Sequence, residues 1–163
     1  MKKYCKDVLA TFLSNANRIA VICLGNEFRK DDAAGIFFCK ELQGKNIARV
    51  ILFYAYSSPE AYILKISEDA KISHVLIVDA VDAGFPPGEI LILEPSDFSE
   101  DTLSTHRISL SYLLQFLKKA GKKILIIGIQ PHDTSIGEGV HEEILKSIKR
   151  LIRDFLYCLQ NNS

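Results

Sequence analysis

Residues 19–43 read IAVICLGNEFRKDDAAGIFFCKELQ. The opening run, Ile19-Ala20-Val21-Ile22-Cys23-Leu24, is continuously apolar and short, the pattern of a strand covered on both faces. The closing run, Ile36-Phe37-Phe38-Cys39-Lys40-Glu41-Leu42, reads as a helix. Between them lie two adjacent carboxylates, Asp31 and Asp32, beside Arg29 and Lys30. A strand that passes through an acidic loop into a helix sets both the fold class and the question of what two neighbouring acids do there.

The same alternation continues on both sides. Helix 2–16 precedes strand 18–24, and helix 32–43 follows the acidic loop. Strand 48–53 leads through Ser57-Ser58-Pro59-Glu60 to helix 59–67, where a serine can cap and Pro59 suits the first helical position. Strand 74–79 (HVLIVD) comes next, then the breaker Gly84-Phe85-Pro86-Pro87-Gly88 and strand 89–93 (EILIL). Helix 107–120, strand 123–128 (KILIIG) and helix 141–158 close the chain. Strands interleaved with helices argue for an α/β fold with a parallel or mixed sheet covered on both faces. The link 80–88 has no room for a helix, so strand 89–93 is expected to pair antiparallel.

The chain has 163 residues, 48% of them apolar, and no linker or low-complexity tract, so residues 1–163 are expected to form a single domain. Twenty basic and twenty acidic side chains cancel, which gives no global field toward nucleic acid or an anionic membrane. No stretch approaches the roughly 20 apolar residues of a membrane span. KKYCKDVLATFL at residues 2–13 starts like a secretory signal, but Lys6 and Asp7 interrupt it and no cleavage site follows. It reads as an amphipathic helix, with Cys5, Val8, Leu9, Phe12 and Leu13 on one side. The cysteines, Cys5, Cys23, Cys39 and Cys158, form no CxxC pair and read as buried free thiols of a reducing compartment, the cytoplasm.

In open α/β sheets, ligands bind beyond the carboxyl ends of the strands. That rule selects Asp31 and Asp32 after the first strand, Asp79 and Asp82 after HVLIVD, and His132 and Asp133 after KILIIG. Asp at a helix N-terminus often serves only as a cap, yet one acid fills that role and here there are two. Asp79 ends the apolar run Val75-Leu76-Ile77-Val78, where an unpartnered carboxylate is costly to bury. His74 precedes a strand and reads as structural. His141-Glu142 lacks the second His of HExxH. His106 and His132 both remain candidate ligands on residue pattern alone. GNEFRKDDAAG is neither GxGxxG nor a P-loop, and its acids would repel phosphate. What remains is a carboxylate–carboxylate–imidazole set, suited to a borderline divalent cation such as nickel, zinc or cadmium.

Four blocks then carry a resemblance. GNEFRKDDAAG resembles the GN-x4-D-(D/E)-x-x-G signature of the [NiFe]-hydrogenase maturation endopeptidases. LIVDAVDAGFPPGEILILEPSDF, STHRISLSYLLQFLK and ILIIGIQP are similar to that family's later segments, in the same order. The branch most resembled processes hydrogenase 3-type large subunits.

The resemblance implies a three-layer α/β/α sandwich around a twisted, mostly parallel sheet, here of five strands. It implies an endopeptidase that removes the C-terminal extension of a [NiFe]-hydrogenase large-subunit precursor after nickel insertion. The family's catalytic and metal-contacting trio falls on Asp32, Asp79 and His106, which favours His106 over His132. The nickel would arrive within the precursor, with zinc or cadmium able to stand in. Asp31 would serve the turn and the helix terminus. One departure is visible: where the family commonly carries Asp-Gly-Gly after the second strand, this chain has Tyr54-Ala55-Tyr56. Two rival expectations stand beside this one: a metal-dependent hydrolase of small peptides, and a non-catalytic chaperone that binds nickel or the precursor.

Overall fold

The computed structural model describes residues 1–94, 97 and 105–161, with the side chains of residues 105–109 and 111 outside that description. In chain order the strands are β1 (Lys2–Lys3), β2 (Arg18–Leu24), β3 (Val50–Tyr56), β4 (Ile72–Ala80), β5 (Ile90–Leu93) and β6 (Lys123–Ile129). The helices are α1 (Lys6–Leu13), α2 (Ala34–Gln43), α3 (Ile63–Glu68), α4 (Thr105–Lys119) and α5 (Glu142–Asn161). Short 3-10 turns, Lys30–Ala33 and Pro59–Tyr62, lead into α2 and α3.

The sheet order is β1-β5-β6-β4-β2-β3. β3, β2, β4 and β6 run parallel, while β5 pairs antiparallel with β6 and β1 antiparallel with β5. The expected antiparallel strand is therefore present. Two apolar clusters cover the two faces. One joins α1, α2 and α5 to Val21, Cys23, Leu76 and Ile127. The other joins α3 and α4 to Ala20, Ile22, Ile77 and Ile126. Burial on both faces explains why β2 and β4 read as unbroken apolar runs. α5 buries Ile144, Ile148, Leu151, Ile152, Phe155 and Leu159 at helical spacing, and Phe155 meets Phe38 edge-on at 6.3 Å between ring centroids. Among the described residues, no helix is long and apolar enough to cross a membrane.

Several expectations need correction. Among the described residues the sheet has six strands rather than five, because Lys2–Lys3 leaves the expected 2–16 helix and pairs with Ile92 and Leu91. The backbone N–H of Tyr4 donates to Ile90 O at 2.9 Å, which holds the start of the chain extended until Lys6. Tyr54-Ala55-Tyr56 is the end of β3 rather than a loop, since Leu24 pairs with Tyr56 across the sheet. The cysteines are not all free: Cys23 of β2 and Cys39 of α2 form a disulfide with a Cα–Cα distance of 6.2 Å. Both belong to the cluster where α2 crosses β2, so sequence positions sixteen apart face one another. Cys5 is free and exposed, and only Cys158 is a buried thiol.

Candidate active site

A cleft of about 340 Å³ opens beyond the carboxyl ends of β2 and β4. Asp32 and Asp79 both line it. Asp79 stands one residue before the end of β4, where the strand leaves the closed sheet interior and its side chain is half-buried.

Asp32 arrives by a tighter route. A β-carbon on Gly25 would lie 2.0 Å from the backbone oxygen of Asp32, and one on Gly35 would lie 2.3 Å from the backbone oxygens of both Leu24 and Val78. Only glycine permits such backbone approach. The two glycines thus let the 3-10 turn and the first turn of α2 sit directly on the ends of β2 and β4, which brings Asp32 to the same opening as Asp79.

His106 lies in the first turn of α4, one helical turn before Leu110, which lines the cleft. Its side chain falls outside the described residues. Among those described, no three of His, Cys, Asp or Glu converge as a metal site. The described donors that could serve one are Asp32 and Asp79.

The neighbouring acid does something different. Asp31 is fully buried, and it caps neither helix. Its Oδ2 accepts backbone N–H bonds from His132 at 2.9 Å and Asp133 at 3.0 Å, and its Oδ1 accepts that of His141 at 2.7 Å. The His141 ring nitrogen lies 3.0 Å from Oδ2. Burial pushes the Asp31 carboxyl upward, but these hydrogen bonds outweigh it and hold the group below the ordinary carboxylate range. The expectation that Asp31 serves the adjacent helix is therefore replaced. It clasps the loop between β6 and α5.

That loop closes one side of the cleft. Lys30 N–H donates to Gly137 O at 3.0 Å, Gly137 N–H to Phe28 O at 2.9 Å, and Arg29 Nε to Thr134 O at 3.0 Å. Arg29 and Thr134 both line the opening. His132 does not line it. Its Nδ1 lies 3.1 Å from Glu143, and its ring meets that of His141 at a tilt, 4.6 Å between centroids. His74 sits at the opposite end of the sheet, buried against Phe12, and burial there lowers its imidazole from the usual value. Asp82 is held by Gln130, whose Nε2 donates to it at 3.0 Å while its Oε1 accepts from the backbone of Ala83 and Phe85.

The chain matches the family model described as hydrogenase maturation protease over residues 40–157. It is 32% identical over 164 residues to a Methanocaldococcus jannaschii protein described as belonging to the hydrogenase maturation proteases, covering 95% of this chain and 96% of that one. It is 35% identical over 112 residues to the hydrogenase 3 maturation protease of Escherichia coli K12, covering 68% and 71%. The crystal structure of the [NiFe] hydrogenase maturation protease HycI from Thermococcus kodakarensis superposes with a TM-score of 0.80 at 31% identity, over 94% of this chain and 99% of that one.

The chain belongs to the hydrogenase maturation proteases. Within this protease, the matched region contains Asp79 and His106, while Asp32 lies ahead of it. Arg29, Tyr56 and Thr134 also line the cleft; the rule of strand ends reaches Tyr54-Ala55-Tyr56 but gives no role to Arg29 or Thr134. Arg29 carries a signal, since it stands in the same loop as the two acids. Thr134 has none, because its loop is brought across from the end of β6 by bonds to Phe28, Arg29, Lys30 and Asp31, all distant in sequence.

Proposed function

We propose that this protease cuts the C-terminal extension from the large-subunit precursor of a [NiFe]-hydrogenase once nickel has been inserted. Asp32, Asp79 and His106 contact that nickel, which enters as part of the substrate. The observation that carries the reading is the shared cleft: two carboxylates distant in sequence line one opening at the strand ends, and Leu110 of α4, four residues after His106, lines it too. Ligation asks for ionised carboxylates and a neutral imidazole, and two carboxylates with one imidazole leave positions for the precursor's own ligands or for water.

The carboxylates orient the metal-bearing end of the precursor, and the peptide to be cut crosses the same opening. The test is incubation with nickel-loaded and nickel-free precursors, read by intact mass. Wild type should shorten only the nickel-loaded form, and Asp79→Asn should retain the fold while losing that cut. Cutting of small peptides with a tightly held zinc would support the broad hydrolase instead. Binding of the precursor without loss of mass would support a chaperone.

A further inference from the structure

Resting on that reading, we infer that Phe28 and Ile136 form an apolar knob on the rim of the cleft, against which the body of the large-subunit precursor docks while its C-terminal segment enters the opening. Among the described residues these are the two most exposed large apolar side chains, Ile136 at 86% and Phe28 at 70%. Apolar residues scattered singly over a surface are ordinary, but neighbouring ones mark contact sites.

The backbone makes these two neighbours. Gly137 N–H donates to Phe28 O at 2.9 Å, and Lys30 N–H donates to Gly137 O at 3.0 Å. Arg29 and Gly137 thus pair as in a parallel ladder, which sets Phe28 and Ile136 at the same step on two adjacent loops. Arg29 follows Phe28 directly, and Thr134 stands two residues before Ile136. Both line the cleft, and Arg29 Nε donates to Thr134 O at 3.0 Å. The pair therefore stands beside the opening without lining it.

The exposure does not come from slack loops. Lys30 Nζ donates to Asp133 and Ser135, and the lysine stem lies against Gly137, where a β-carbon would come within 2.9 Å of Cε. Asp31 holds the backbone of His132 and Asp133 in the same segment. Side chains displayed on so fixed a base lose little freedom when a partner covers them.

The occupant follows from the size of the opening. A volume of about 340 Å³ lies at the small end of ligand pockets, room for only a short stretch of a protein substrate. The rest of that substrate must lie against the rim, where Phe28 and Ile136 offer it an apolar contact. A metal ion or a small peptide filling the cleft would leave both side chains in water.

The experiment titrates Phe28→Ser, Ile136→Ser and the double variant with nickel-loaded precursor, reading turnover by intact mass and stability by thermal unfolding. Each single variant should bind about tenfold more weakly, and the double variant more weakly still, with KM rising more than kcat falls. Phe28→Leu combined with Ile136→Leu keeps the surface apolar and should retain most of the affinity. The unfolding midpoint should move by less than about 3 °C, as at other exposed positions. Wild-type affinity in the double variant would overturn the inference, and continued cutting would leave the protease reading standing. A larger fall in midpoint, or a loss confined to kcat, would overturn it as well. If wild type pairs with itself, while the double variant is monomeric in sedimentation and binds precursor no more weakly, a second copy is the occupant and the inference falls. If wild type binds without cutting and the double variant loses that binding, the docking knob stands and the protease reading fails. If wild type does not bind the precursor, both fail.

Discussion

Replacing Asp31 by Asn tests whether the inward-facing acid is the clasp of the cleft loop. The side chain keeps its shape, but one acceptor oxygen becomes an NH2 group. If the remaining oxygen takes the Oδ2 place, it keeps the N–H groups of His132 and Asp133, and the new NH2 faces the N–H of His141. One buried donor is then orphaned, at about 1–3 kcal/mol, and two charge-assisted bonds become neutral ones. The sum is about 2–4 kcal/mol. For a chain of this length each kcal/mol moves the midpoint by about 2–4 °C, so thermal unfolding should fall by roughly 5–15 °C. Hydrogen exchange at the amides of His132, Asp133 and His141 should quicken together. The pH dependence has a definite sign. The folded carboxyl sits below its ordinary value of about 3.9. Its contribution is complete above that value and is lost as pH falls through the lower folded one. The gap between wild type and variant should therefore close in acid. A midpoint lowered by less than about 2 °C at neutral pH would refute the clasp.

Gly35→Ala places a methyl group 2.3 Å from two strand carbonyls, so it should destabilise by about 3 kcal/mol or more and yield a clearly lower melting point. Phe155→Ala empties the contact with Phe38 under α5 and should cost about 3–5 kcal/mol in denaturant unfolding. Tyr4→Phe removes the donor to Asp154, a bond of 3.2 Å, and should cost about 1–3 kcal/mol. Burial, and then the Asp154 charge, raise the Tyr4 phenol above its ordinary value near 10. Its contribution is therefore full below about pH 10 and is lost at higher pH, and the alkaline decline in wild-type stability should be smaller in Tyr4→Phe.

Much of the architecture is legible in residue order. The apolar runs at 19–24, 75–78 and 124–127 are unbroken because their strands are covered on both faces, and the breaker at 84–88 announces the strand that turns back. Strand ends also point to the opening, since the rule of carboxyl ends selects Asp32 and Asp79 before any coordinates. What stays hidden depends on pairings across the chain. A two-residue strand such as Lys2–Lys3 has no periodicity to detect. Nothing local separates Asp31 from Asp32, because their fates are set by amides some hundred residues downstream. The left-handed backbone at Tyr56 leaves no trace in composition. Cys23 and Cys39 look like ordinary core residues until α2 is laid across β2.

The brief strand at Lys2–Lys3 has a consequence for handling the molecule. It lies along β5, whose other side is taken by β6. An uncovered strand edge templates self-association, and short, lysine-bearing borders are a common guard against it. A bulky fusion joined directly ahead of Lys2, or trimming of the first few residues, would bare the Ile90–Leu93 ribbon. Preparations made that way should clump, and a label at the opposite end of the chain is the safer choice.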